Sequence, residues 1–241
     1  QKTEYLQGAL VAVDNRTGAV RAVVGGRDYK DSKYNRALVS RRQIGSTYKP
    51  FVYAAAFQRG VLPSTLVDDS RIDPKEFEHV SKGWSPENSD GKYTGLQRAD
   101  WGLLQSRNTM TVRLGQHIGL EAVRTVAESV GIGQSMPPYP VAFLGGFETT
   151  VRDLAAAYTI FPNNGLFRPA YTISRIEDME GRVVFEADRK SKQVLRSEAS
   201  WLTSMILQEV MRSGTASKSE QQGWKKPASG KSGRTNEFHD A

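Results

Sequence analysis

Arg41-Arg42-Gln43-Ile44-Gly45-Ser46-Thr47-Tyr48-Lys49-Pro50-Phe51 runs straight into Val52-Tyr53-Ala54-Ala55-Ala56-Phe57, an apolar stretch that ends near Gly60. The pattern predicts a buried helix with Ser46 at its mouth. Pro50 falls in the first turn, where a missing N–H costs little. Gly60 suits the C′ stop, with Pro63 beyond. Residues three apart share a helix face, which sets the Lys49 ammonium beside the Ser46 hydroxyl. A helix N-terminus adds unpaired N–H groups and a partial positive charge. Nucleophile, base and anion-stabilising dipole then meet at one spot. The motif is short, however. Serine is also a favoured helix cap, and Ser-x-x-Lys recurs at Ser89 and Lys92 in a loop. The rest of the chain has to decide.

At 241 residues the chain is long enough for a sizeable core. Gln1 is not a natural start, so the sequence reads as a piece of a longer protein. No apolar run approaches the roughly 18 residues that span a bilayer. The absence of cysteine excludes thiol chemistry and disulfides and is compatible with an oxidising compartment. A formal charge of +7 favours an anionic surface. The basic residues are dispersed rather than gathered into an arm, which argues against nucleic acid. His79, His117 and His239 lie far apart, so neither a zinc site nor any other cofactor is expected.

In chain order, Tyr5 to Val13 and Ala19 to Val24 read as a β-hairpin around Asp14-Asn15-Arg16-Thr17-Gly18. Residues 61–95 are poor in regular signals, although Trp84-Ser85-Pro86-Glu87-Asn88 has the look of an anchored loop. Leu96 to Leu104, Thr109 to His117 and Leu120 to Val130 read as helices, with Gly119 and Gly131 as stops. Thr150-Val151-Arg152-Asp153 resembles a capping box for a helix reaching about Phe161. Tyr171 to Glu177 and Arg182 to Glu186 read as a second hairpin, and Ser197 as the cap of a helix through Arg212. The expected fold is mixed α and β: an antiparallel sheet flanked by helices, with a mostly helical lobe over roughly 61–165, all within one domain spanning 1–241.

Two later fragments complete what Ser46 and Lys49 begin. Ser106-Arg107-Asn108 is the only Ser-x-Asn in the chain, and Lys231-Ser232-Gly233 follows Gly230 near its end. Ser-x-x-Lys, Ser-x-Asn and Lys-Thr/Ser-Gly in that order form the active-site set of penicillin-binding proteins and serine β-lactamases. The chain resembles the transpeptidase domain of class A (bifunctional) penicillin-binding proteins over nearly its whole length. The resemblance is carried by residues 14–26, Asn35-Arg36-Ala37, Arg42 to Phe51, Trp84 to Asn88 and Ser106 to Thr109. Leu144-Gly145, Ala156-Ala157-Tyr158 and Asn164-Gly165 extend it.

The resemblance implies a β-lactamase/transpeptidase-like fold lacking its C-terminal strands and helix. It implies a D,D-transpeptidase that cross-links peptidoglycan stem peptides ending in D-Ala-D-Ala through a Ser46 acyl-enzyme, with β-lactams as covalent inhibitors. Lys49 would be the base, Ser106 a proton relay and Asn108 a ligand of the substrate amide. Lys231 and Ser232 would receive the donor's C-terminal carboxylate, with Arg234 and Thr235 adding to that contact and Gly233 clearing room for the substrate. Arg234 departs from the family's usual second threonine. For Lys49 to act near pH 7 its pKa must fall from about 10.4, roughly 4 kcal/mol, through burial and a second cation such as Lys231. The resemblance also implies an upstream glycosyltransferase domain and membrane anchor, with the site on the periplasmic or extracellular face of the cytoplasmic membrane. A β-lactamase shares the motifs, but its class A form needs a Glu-x-x-Leu-Asn loop that is absent here. A penicillin-binding sensor or scaffolding domain without turnover is the other reading.

Overall fold

The computed structural model describes residues 6–76 and 84–234. Strands β1 (Leu10–Val13) and β2 (Val20–Val24) form the expected antiparallel hairpin. The Asp14 carboxylate shapes its turn by accepting the N–H groups of Arg16 and Thr17, both at 3.0 Å. The described strand begins at Leu10, and Tyr5 lies outside the described residues. Next, β3 (Arg42–Gln43) leads into a 3-10 turn over Gly45–Tyr48 and then α1 (Lys49–Gln58). β4 (Leu66–Asp68) pairs with β5 (Leu96–Arg98), and α2 (Ala99–Leu104), α3 (Asn108–Ile118) and α4 (Leu120–Ser129) follow.

Leu96 to Arg98 was expected to be helical. Pairing with a distant strand overrides that local pattern, because ladder bonds to Leu66–Asp68 satisfy the same backbone groups.

β6 (Glu148–Thr149) pairs with β3. Thr150 then caps α5 (Val151–Tyr158), its hydroxyl accepting the Asp153 N–H at 3.1 Å. The helix stops at Tyr158, short of Phe161, and turns carry the chain on to Gly165. β7 (Leu166–Phe167), the hairpin β8 (Arg175–Glu177) and β9 (Val183–Glu186), and β10 (Lys192–Gln193), which pairs with β7, lead to α6 (Ser197–Arg212) and the short α7 (Lys218–Gln221). Ser197 is the first residue of α6 rather than its cap; Arg196 holds the cap position with extended backbone and no side-chain cap bond. Among the described residues the strands pair antiparallel in five two-stranded ladders.

α1 organises the core. Every residue from Lys49 to Phe57 is buried. A helix apolar on all sides must be surrounded, and α3, α4 and α6 pack around this one. Phe51 sits among the rings of Tyr48, Tyr158 and Phe161, with centroids 5.2 to 5.6 Å away. The first residue of the helix, Lys49, is therefore carried into the interior by the apolar residues that follow it.

Candidate active site

The turn bearing Ser46 is fastened from both sides. Ile44 N–H donates to Phe147 O at 3.2 Å and Gly45 N–H to Gly145 O at 3.1 Å. Gly45 and Gly145 both hold positive φ, +51° and +72°. A Cβ on Gly145 would lie 2.2 Å from Gly45 O, so the two backbones meet where no side chain fits. The Thr47 hydroxyl donates to Ile44 O at 2.5 Å, and the Tyr158 hydroxyl to Thr47 O at 2.5 Å. Ser46 is half-buried inside this 3-10 turn, upstream of the α1 cap position, which belongs to Tyr48.

Lys49 is fully buried. Its Nζ donates to Ser106 O at 2.5 Å, Asn108 Oδ1 at 2.6 Å and Ser106 Oγ at 3.2 Å. Among the described residues no hydrogen bond joins Ser46 Oγ to Lys49; the amine reaches across to the Ser-x-Asn segment. Burial, then the charge of Lys231, then that of Arg107 push its pKa well below the usual lysine value. Ser106 itself has φ +57°, uncommon for a residue with a Cβ. That conformation presents its carbonyl and its hydroxyl together to Lys49.

Lys231 arrives from the far end of the chain and donates to the same hydroxyl, Ser106 Oγ, at 2.9 Å. Burial lowers its pKa to about 8. Its segment lies along α6 through Gly230 N–H to Leu207 O at 3.2 Å. Ser232 Oγ is 3.2 Å from Thr215 Oγ1. A Cβ on Gly233 would lie 2.7 Å from Thr47 Cγ2 and 3.3 Å from Ile44 O. The neighbour that demands glycine there is thus the Ser46 turn itself, where the sequence reading had put the substrate. Arg234 is exposed and makes a bridge contact, and Thr235 lies outside the described residues.

The Trp84 to Asn88 loop is anchored as expected, and it holds Asn108. Asn108 N–H donates to Asn88 Oδ1 at 2.8 Å, and Asn108 Nδ2 to Glu87 O at 2.6 Å, which aims Oδ1 at Lys49. The second Ser-x-x-Lys is structural: Lys92 N–H donates to Asp90 at 3.0 Å and its carbonyl accepts from Arg107. Sequence reasoning missed Asp69. It is fully buried and bridged to Arg107 at 2.9 Å, directly behind the Ser-x-Asn segment. Its only signal was an acidic residue just after a short strand, with an arginine inside the motif to receive it. Among the described residues no group of His, Cys, Asp or Glu is placed to hold a metal ion, and no helix is long and apolar enough to cross a membrane.

Residues 8–241 match the family model "Penicillin binding protein transpeptidase domain". Penicillin-binding protein 1A of Neisseria flavescens is 36% identical over 242 residues, covering 98% of this chain and 30% of the relative. That of Aquifex aeolicus is 35% identical over 238 residues, covering 98% and 32%. The chain therefore spans about a third of the length of these curated relatives. The crystal structure of penicillin-binding protein 1A from Haemophilus influenzae superposes with a TM-score of 0.86 at 29% identity, over 95% of this chain and 40% of that one. PonA1 from Mycobacterium tuberculosis, in complex with penicillin V, gives 0.72 at 25% identity over 86% and 57%.

Proposed function

The chain belongs to the penicillin-binding protein transpeptidase family, and from that premise we propose that it forms an acyl-enzyme on Ser46 with stem peptides ending in D-Ala-D-Ala. The observation that carries this reading is the placement of the Lys49 amine, fully buried and held between Ser106 and Asn108. A neutral amine has two N–H groups and one lone pair. Ser106 O and Asn108 Oδ1 can only accept, so they take the two N–H groups. In that form the third contact, to Ser106 Oγ at 3.2 Å, reverses, and the lone pair is left for a hydroxyl proton. Burial and two nearby cations favour this neutral form, which is what a general base requires.

In the donor step a bond forms between Ser46 Oγ and the carbonyl carbon as the bond to the terminal D-alanine nitrogen breaks. Lys49 takes the Ser46 proton, and Ser106, hydrogen-bonded to both lysines, passes a proton to the departing amine. The N–H groups of Ser46 and Arg234 stabilise the oxyanion, worth about 3 kcal/mol per donor by analogy with other acyl transfer sites. Asn108 binds the substrate amide. Lys231, Ser232, Arg234 and Thr235 receive the C-terminal carboxylate, a charge-assisted contact. An acceptor amine of a neighbouring strand then attacks the ester, its proton returns through Lys49, and Ser46 is released. β-Lactams enter as donor mimics. The same reading carries an upstream glycosyltransferase domain and membrane anchor in the whole protein, with the site outside the cytoplasmic membrane.

Intact-mass analysis after incubation with benzylpenicillin, followed by peptide mapping, tests the nucleophile. A persistent adduct on Ser46 is expected. An adduct that turns over rapidly identifies a β-lactamase instead, and no adduct refutes the assignment. Release of D-alanine from a D-Ala-D-Ala peptide in the presence of an acceptor amine separates a working transpeptidase from a domain that only binds.

A further inference from the structure

Asp69 is the one fully buried carboxylate among the described residues, and nothing in the proposed chemistry uses it. It follows β4 directly, and both of its oxygens are saturated. Arg107 Nε donates to them at 3.1 and 3.0 Å, Thr109 Oγ1 at 2.6 Å and Asn88 Nδ2 at 2.9 Å. Thr94 adds its N–H at 3.1 Å and its hydroxyl at 2.9 Å.

Two of these contacts, from Arg107 and from Asn88, lead to the Ser-x-Asn segment by different routes. Arg107 sits between Ser106 and Asn108, so clamping its side chain fixes the backbone of both. The rest of its guanidinium is also committed, with Nη1 3.0 Å from both Asp90 oxygens, Nη2 on the Lys92 carbonyl, and Cζ 5.7 Å from the centre of the Trp101 ring. Asn88 is turned by Asp69 so that its Oδ1 accepts the Asn108 N–H at 2.8 Å. The backbone of Ser106 needs such support. A serine at positive φ persists only where its surroundings over-determine it, and here Ser106 N–H and Arg107 N–H also donate to the last carbonyls of α2, Leu103 O at 3.1 Å and Gly102 O at 2.9 Å.

A buried ion pair adds little net stability over an apolar replacement of the same shape. What this one adds is placement. We propose that Asp69 is a positioning residue for acyl transfer at Ser46: by holding Arg107 and Asn88 it fixes Ser106 in its left-handed conformation and Asn108 with its amide oxygen facing Lys49. The inference rests on the proposed function. No atom of Asp69 is required to touch the substrate.

The test uses Asp69→Asn and Arg107→Lys. Asp69→Asn keeps the shape but turns one of the two accepting oxygens into an NH2 group that faces hydrogen-bond donors. Arg107→Lys keeps the buried charge and gives up the planar fork. Thermal transitions give the folded fraction, and labelling of Ser46 by a fluorescent penicillin over a range of concentrations separates the limiting acylation rate from half-saturation. The expected result, per folded molecule, is a limiting rate at least tenfold lower with half-saturation moved less than threefold. A merely structural loosening lowers the folded fraction and leaves that rate where it was. Should Asp69→Asn fail to fold, Arg107→Lys decides alone. Wild-type limiting rates in the folded variants overturn this inference and leave the proposed function standing. An unlabelled wild-type protein overturns both.

Discussion

Lys49 and Lys231 meet on a single atom: their Nζ groups lie 3.2 and 2.9 Å from Ser106 Oγ. Two ammonium groups pressed against one hydroxyl repel by a few kcal/mol at an effective dielectric of about 20. The relief is for one to lose its proton. Burial, then Lys231, then Arg107 push the pKa of Lys49, fully buried at the head of α1, well below the usual lysine value, and burial lowers that of Lys231 to about 8.

If Ser46 is the nucleophile proposed above, its acylation by benzylpenicillin is expected to follow a bell-shaped pH profile. Its acid limb belongs to Lys49, which must be neutral, and its alkaline limb lies near pH 8, where Lys231 loses the charge that attracts a carboxylate. Lys231→Met removes the repelling cation, raises the Lys49 pKa, and moves the acid limb to higher pH. The rate at pH 7 should fall at least tenfold. Folding strips protons from both lysines, so their share of stability rises with pH, for Lys231 between about 8 and the unfolded value near 10.4. A flat profile from pH 6 to 10 would sink this assignment.

Gly233→Ala sets a Cβ 2.7 Å from Thr47 Cγ2. Thr47 cannot turn away freely, because it is buried and its hydroxyl is tied to Ile44 O. The Lys231 segment must then lift off the Ser46 turn. We expect acylation to drop by about tenfold or more with little change in melting temperature, since the segment's outer face is exposed. Thr47→Ser deletes the clashing methyl, so the double variant should recover most of the rate. Equal rates for Gly233→Ala and the double variant would show that the close approach has no bearing on acylation.

Ser106→Gly and Ser106→Ala both remove the hydroxyl proposed as the relay, and both should acylate poorly. They differ in backbone strain. Alanine at φ +57° keeps the penalty that glycine escapes, about 1 kcal/mol. Urea unfolding should place Ser106→Gly above Ser106→Ala by that amount. The reverse order would contradict the left-handed conformation.

Gly145→Ala attacks the other half of the site. Positive φ and a Cβ 2.2 Å from Gly45 O leave no relaxation that keeps the Gly45–Gly145 hydrogen bond. A loss of about 2–4 kcal/mol is expected, together with displacement of Ser46. Unfolding near the wild-type midpoint would refute the tight backbone approach.

Where the chain's own local pattern dominates, the sequence was readable. The apolar run after Lys49 gave α1 and its burial, and Thr150 and Asp153 gave the α5 cap. The three separated motifs were recognisable in order, and Ser106, Asn108 and Lys231 do gather around Lys49. Long-range pairing was not readable. Leu96 to Arg98 had helical chemistry and became strand because Leu66 to Asp68 lies beside it. Ser197 had the chemistry of a cap, yet the chain turns helical one residue earlier than that role allows. Asp69 resembled any acidic residue at a turn; only the arrival of Arg107, 38 positions later, makes its burial possible. Gly233 was seen as a gap for substrate because nothing local indicated that Thr47 would come against it.

The all-round burial of α1 sets a hierarchy of motion. Its amides from Tyr53 onward are bonded within the helix and sealed by α3, α4 and α6, so their exchange with deuterium must wait for unfolding of the whole molecule. Lys49 is the first residue of that element, and Ser46 lies in the 3-10 turn that leads into it. Ser232 and Arg234 lie on the surface, and their segment is joined to α6 by bonds such as Gly230 N–H to Leu207 O and Ser229 Oγ to Ser204 O. The two sides of the site therefore differ in anchorage: the serine turn leads straight into the buried core, and the segment after Lys231 lies at the surface.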